Sequence, residues 1–417
     1  MIKEKKEIEI DSVVRYITEV DELLKQSKFN PKVHTVFFRG HADKLWDLKP
    51  SLLRNEGLIK NEDLMFRTTV AKYAPEFKMC TSTLDYLVKM QHYGLPTRLL
   101  DLTTNPLVAL YFACEELQAY DKVKGKCGEV IVLKVPTLSI KHYDSDTVSI
   151  LSNIAKCKEG EMDFCLYSDK WSDGNFFDAL QLKDSSRKKF VHHIGKYYCK
   201  AAQSLLKEGN IEALKNILNS LSEFAQSNGL RNLSFYNTDG QLKTNDEIDT
   251  EITNLKLQPY EKGMLTKLHY ALVRETKFSS VFENYVEWFN QIGQIQLLLH
   301  QISLEKSHFR PIINPHDLAR VYVVNVRQDN QRIRNQMGAF VLFGLGLSNN
   351  NDSLRLSKAG ETQIPDVWNL SQSVKFIIPP KNKRGIIDEL ERLGISKSFV
   401  YPELEVFAKE LGRQYRK

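Results

Sequence analysis

From Ile10 to Leu24 the apolar residues fall at Val13, Val14, Ile17, Val20, Leu23 and Leu24, the spacing of one helix face, and Asp11 or Ser12 can cap the first turn. The chain therefore opens with an amphipathic helix. Val33 to Phe38 reads as a short buried strand ending at Arg39-Gly40, where glycine permits a turn or a close backbone approach. Asn61 to Tyr93 is helical in pattern, with Gly94 and Pro96 as its stop. Leu95 to Thr104 reads as a loop into another helix. Asn105 caps that helix, Pro106 suits its first turn, and Leu107, Leu110, Tyr111 and Cys114 follow at helical spacing. Strand patterns recur at Glu129 to Val135, Val321 to Val326, Ala339 to Phe343 and Val374 to Ile378, and helical ones at Arg384 to Leu393 and Glu403 to Leu411.

Between about Ile140 and His308 the pattern changes to long polar-apolar helices, as at Asn210 to Gln226 and Thr266 to Ile302. The two flanking segments share one mixed composition, and each has too few strands for a sheet of its own. The expected fold is α+β, with a split central sheet and flanking helices, interrupted by a large all-helical insertion. The expected boundaries are 1–139 and 309–417 for the two parts of the main domain and 140–308 for the insertion.

Composition narrows the function classes. With 417 residues, 42% apolar and 26% charged, the chain can bury a sizeable core. No run of about 18 apolar residues occurs, and the start, MIKEKKEIEIDS, is charged where a signal peptide would be apolar. A cytoplasmic protein without a membrane span is expected. A net charge of +6 is a weak field, and it names neither nucleic acid nor any other partner. The six cysteines include no C-x-x-C pair, and His92 has no Cys or Asp at metal spacing, so reduced thiols and no metal are expected. Serine or cysteine nucleophiles with a nearby His and acid do not appear in recognisable spacing.

Three stretches set polar groups inside apolar sequence: Phe37 to His41, Gln91 to Asp101 and Arg332 to Phe340. Buried polar groups need partners, so each stretch belongs to an internal network or faces a ligand. Arg39 can pair with Asp101 or bind a phosphate. Gln91 and His92 can cap a helix or meet a ligand, Thr97 and Arg98 can stabilise a turn or meet a phosphate or ribose hydroxyl, and Gln336 can serve a strand-entry turn or a substrate. Tyr111 belongs to the core first and to stacking second. Arg39, Gln91, Thr97, Arg98, Asp101 and Gln336 are expected to converge on one pocket.

Phe38-Arg39-Gly40, QHYGLPTRLLDLTTNPLVALYFA at Gln91 to Ala113, RIRNQMGAF at Arg332 to Phe340, and FIIPPKNKRGIIDELERLGI followed by YPELEVFAKEL resemble the FRG-domain family. The resemblance covers roughly residues 12 to 136 and 318 to 411, and it implies a setting in bacterial conflict and phage defence. A second, more remote resemblance is to the ADP-ribosyltransferase superfamily, whose order of an early Arg, a mid-chain Ser, Thr or Tyr and a late Glu is matched by Arg39, then Thr97 or Tyr111, then Glu403 or Glu405. It implies NAD as substrate and a protein or nucleic-acid acceptor. In that reading Arg39 binds diphosphate, Thr97 and Tyr111 line the pocket, and Glu405 stabilises the oxocarbenium-like ribosyl cation. Glu405 follows Pro402 at a predicted helix start, however, where acids commonly complement the helix dipole. The alternatives are a non-enzymatic module that senses a nucleotide or a phage component, and a nuclease, for which no carboxylate cluster is visible. Oligomeric state is not legible.

Overall fold

In β2 (His34–His41) and β4 (Gly128–Pro136), paired antiparallel from His34↔Pro136 to His41↔Glu129, successive side chains point to opposite faces. Phe38, Val130 and Val132 join one core cluster, whereas Phe37, Ile131, Leu133 and Val135 join another. A strand stretch buried on both faces needs an apolar run, here Val36 to Phe38 in β2 and Val130 to Leu133 in β4.

The structure is a computed structural model that describes residues 6–115, 125–168, 289–313, 315–350 and 353–415. It divides into two compact units, one of residues 1–158, 320–344 and 362–417, the other of residues 159–319 and 345–361. The sheet of the first unit runs β1 (Lys6–Glu9), β11 (Val374–Ile378), β4, β2, β3 (Leu99–Thr103), β8 (Gly338–Phe343), β7 (Val321–Asn325), β5 (Ile140–His142). Its two edge pairs are parallel and the others antiparallel. Strands from both terminal segments thus share one sheet, and the α+β class with a split sheet and flanking helices is the one observed.

The helices of the first unit, in chain order, are α1 (Val13–Gln26), α2 (Glu56–Lys60), α3 (Glu62–Lys72), α4 (Thr83–His92), α5 (Pro106–Cys114) and α6 (Asp146–Asn153). After α7 (Gly293–Ser303) and α8 (Pro315–Leu318) of the second unit come α9 (Gln331–Asn335), α10 (Pro380–Arg392), α11 (Lys397–Val400) and α12 (Leu404–Gln414). One sheet face is covered by α1, α5 and α10 through Tyr16, Val20, Leu110, Tyr111, Ile386 and Leu390. Ser12 caps α1 by accepting from the Arg15 amide, and Asn105 caps α5 by accepting from the Leu107 amide.

Two local expectations change. Leu95 to Thr104, read as a loop, contains β3, because Leu99 to Thr103 pairs with Leu342 to Gly338 of β8, a partner distant in sequence. The helix read over Asn61 to Tyr93 is two, because Pro75 and the Ser82-Asp85 capping box restart the chain at α4.

In the second unit β6 (Asp163–Ser168), β10 (Ser353–Ser357) and β9 (Gly346–Asn350) form a three-stranded antiparallel sheet. The all-helical reading of 140–308 falls mainly on residues 169–288, including Asn210 to Gln226, and lies outside the described residues; its described ends hold the strands β5 and β6 and the helices α6 and α7. No helix among the described residues is long and apolar enough to cross a membrane.

Candidate functional site

Glycine sets the geometry first. A Cβ on Gly40 would stand 2.0 Å from the carbonyl oxygen of Ala109 and 2.6 Å from the amide of Ala113, so α5 lies directly on β2 only because residue 40 has no side chain. On the neighbouring strand, a Cβ on Gly128 would stand 2.0 Å from the Ala113 carbonyl oxygen. This close contact brings Phe112 and Glu115, at the end of α5, to the same cavity as Arg39 of β2.

The cavity holds about 230 Å³ and belongs wholly to the first unit. Its cationic groups are Arg39 and Arg332, its carboxyls Asp101 and Glu115, and its large rings Phe38, Trp46, Phe112 and Phe340. Gln91, His92 and Gln336 add further polar groups to the wall.

Arg39 is tied at two points. Its Nε donates to Nε2 of His41 at 2.9 Å, and its Nη1 donates to the Asp101 carbonyl oxygen at 2.7 Å while standing 3.7 Å from Oδ2 of that residue. Among the described residues Nη2 has no hydrogen-bond partner, which leaves one edge of the guanidinium able to donate to an anion. Gln91 Nε2 donates to Asp101 Oδ2 at 3.0 Å, and Thr97 Oγ1 donates to Gln91 Oε1 at 2.6 Å. A chain from Thr97 through Gln91 thereby orients the Asp101 carboxylate.

The opposite wall is a turn. Gln336 gives its carbonyl to Thr103 Oγ1 at 2.6 Å and its side-chain amide to the Val400 carbonyl at 2.9 Å, which ties α9 to both β3 and α11. Met337 follows at φ +46°, a left-handed conformation that a non-glycine residue holds only when its surroundings enforce it. Arg332 lies 3.8 Å from the Glu403 carboxylate, its guanidinium 4.8 Å from the centre of the Tyr401 ring, and Tyr401 Oη donates to Glu115 at 2.8 Å.

Burial and charge then set protonation. His41 is fully buried, and desolvation together with the Arg39 and Arg54 guanidiniums pushes its imidazole down to about 2, so it stays neutral. Burial also lowers His92, reinforced by Arg332. Glu115 is pushed up by burial, against the Tyr401 hydrogen bond and the charges of Lys397 and Arg332, which favour the carboxylate. Among the described residues no group of His, Cys, Asp or Glu is arranged to hold a metal ion.

Of the residues expected in the site, Arg39, Gln91, His92, Asp101 and Gln336 line the cavity, and four others do not. Thr97 stands behind the wall as the support of Gln91. Arg98 is 1% exposed and points away. It donates to both oxygens of buried Glu62, at 2.8 and 2.5 Å, and to the Phe343 carbonyl at 2.9 Å, so it ties α3 to the end of β8. Tyr111 belongs to the core between α5 and the sheet. Glu405 is exposed in the first turn of α12 and paired with Lys409, which lowers its carboxyl. Trp46 and Glu115 lie outside the stretches that the sequence singles out, and Arg332 opens one of them with no role of its own assigned. Glu115 had one signal: a carboxylate directly after an apolar helix, where the helix dipole disfavours it.

A family model, that of the FRG domain, matches residues 34–122. Comparison with curated proteins and with solved structures gives no match.

Proposed function

From a chain that carries an FRG domain over residues 34–122, we propose that the cavity of the first unit binds a nucleotide and that the protein cleaves NAD in the manner of an ADP-ribosyltransferase or NAD glycohydrolase. One observation carries this reading: two arginines, two carboxyls and four large rings, Trp46 and Phe112 among them, line a single cavity. Arg39, held by His41 and Asp101 but with Nη2 unengaged, offers a phosphate a charge-assisted hydrogen bond, and Arg332 offers a second cation. Trp46 and Phe112 supply surfaces for a base. A volume of about 230 Å³ is below the roughly 300–1,000 Å³ of pockets that enclose drug-sized ligands. It therefore suits the reacting half of a dinucleotide, with the other half outside.

The residue roles differ from those the sequence suggested. Glu405 faces solvent with Lys409, so stabilisation of the ribosyl cation falls to Asp101, which Gln91 orients. Incubating the purified protein with NAD, with and without a protein or nucleic-acid acceptor, and following nicotinamide tests this. Release is expected from the wild type and a fall of at least about a hundredfold from Asp101→Asn, the loss typical for a removed electrostatic contact in a transition state. A second reading is favoured by the exposed position of Glu405: a module that senses a nucleotide without reacting. Saturable ADP-ribose binding with no nicotinamide release would select it.

A further inference from the structure

Glu115 occupies an unfavourable place for a carboxylate. It is the C-terminal cap of α5, where the helix dipole presents its negative end, and it is partly buried on the cavity wall. Structural acids usually sit at the other end of a helix. Three groups from outside α5 offset the cost: Tyr401 donates to Glu115 at 2.8 Å, and Lys397 and Arg332 add positive charge. Arg332 also lies over the Tyr401 ring, so the phenol is held by the same residue that lines the cavity. Within α5 the neighbouring ionisable groups are Tyr111 and the buried thiol of Cys114. A position that breaks a local rule and is supported from three sides points to use rather than packing.

Resting on the NAD-cleaving reading above, we infer that Glu115 is the general base for an oxygen acceptor, water or a hydroxyl, and that Tyr401 is the residue that positions it. The acceptor oxygen forms a bond to C1′ of the ribose bound to nicotinamide. The bond from C1′ to the nicotinamide nitrogen breaks, and its electron pair leaves with the ring, which departs as neutral nicotinamide and requires no proton. The proton lost by the acceptor passes to the Glu115 carboxylate. Since the leaving group needs no acid, the carboxyl nearest Tyr401 is available to the incoming side of the reaction, while Asp101 serves the cation. Burial makes Glu115 a stronger base than an exposed glutamate, which suits proton transfer near neutral pH.

The test uses the full chain and three proteins: wild type, Glu115→Gln and Tyr401→Phe. Nicotinamide release is followed against pH, and ADP-ribose binding is measured by calorimetry. Glu115→Gln should lower kcat by about 10²- to 10⁴-fold, the usual worth of a general base, with ADP-ribose affinity unchanged. Tyr401→Phe removes a donor that favours the carboxylate, so the acid limb of kcat should move to higher pH, a shift that a merely structural tyrosine would not produce. Wild-type turnover in Glu115→Gln, or an unmoved limb in Tyr401→Phe, overturns the inference while leaving NAD cleavage standing. Absence of nicotinamide release from the wild type instead overturns the enzyme reading, and this inference with it.

Discussion

Arg39 Nη1 donates to the Asp101 carbonyl at 2.7 Å, across a strand pair whose ladder consists of the single register Phe38↔Thr103. The side chain therefore joins β2 to β3 where the backbone scarcely does, and it fixes a cation beside the cavity. Arg39→Ala should abolish ADP-ribose binding in calorimetry. Its stability cost should stay at about 3–4 kcal/mol, that of its two charge-assisted hydrogen bonds to His41 and Asp101, because the Asp101 carboxylate is 53% exposed and the ion pair itself contributes little. Urea denaturation checks the second figure, and a much larger loss would make Arg39 chiefly a structural residue.

Arg98 should behave in the opposite way towards the ligand. Both partners are buried, at 1% and 4% exposure, so Arg98→Ala leaves the Glu62 carboxylate without its guanidinium and should cost about 3–5 kcal/mol. The double substitution of Arg98→Met with Glu62→Leu should recover most of that loss, since apolar residues of similar size can replace a buried pair. Denaturation midpoints decide this, and the folded double variant should retain ADP-ribose affinity.

Gly40→Ala tests the contact between α5 and β2. The added methyl meets backbone atoms at 2.0 and 2.6 Å, which no rotamer change relieves, so the loss should reach at least the roughly 1–3 kcal/mol of an overpacked core. Thermal unfolding of Gly40→Ala at wild-type stability would show that the helix can lift without cost.

Stability should depend on pH through two groups of opposite sign. His41 is depressed from 6.5 to about 2, so the unfolded chain takes up a proton that the native state refuses, and stability falls as pH drops from 6.5 towards 2. Glu115 is raised above 4.5, so its contribution is present below that value and is lost as pH rises through the native value. Glu115→Gln should therefore gain on the wild type as pH increases from about 4 to about 8, read as the difference in urea midpoint. An unchanged difference would mean that the carboxyl is solvated.

The sequence carried much of this fold because its signals were local. The α1 stripe, the Asn105-Pro106 start of α5 and Gly94 at φ +82° are each decided by neighbours in the chain. Leu99 to Thr103 reads as part of a loop after the Gly94 and Pro96 helix stop, and its strand character comes from β8, more than 200 positions away. The site was legible in part for the same reason. Arg39, Gln91, Asp101 and Gln336 stood out as polar residues in apolar runs, but nothing local tells that Arg98 turns to Glu62 while Arg39 turns to the cavity. Arg332 and Glu115 reach one wall through long-range packing of α9 and α5, which no spacing announces.

If the first-unit cavity is a nucleotide site anchored by Arg39, titration of the full chain with ADP-ribose in a calorimeter must show it. Saturable one-to-one binding by the wild type, lost in folded Arg39→Ala, is the predicted result. No binding by the wild type, or undiminished affinity in Arg39→Ala, would contradict it.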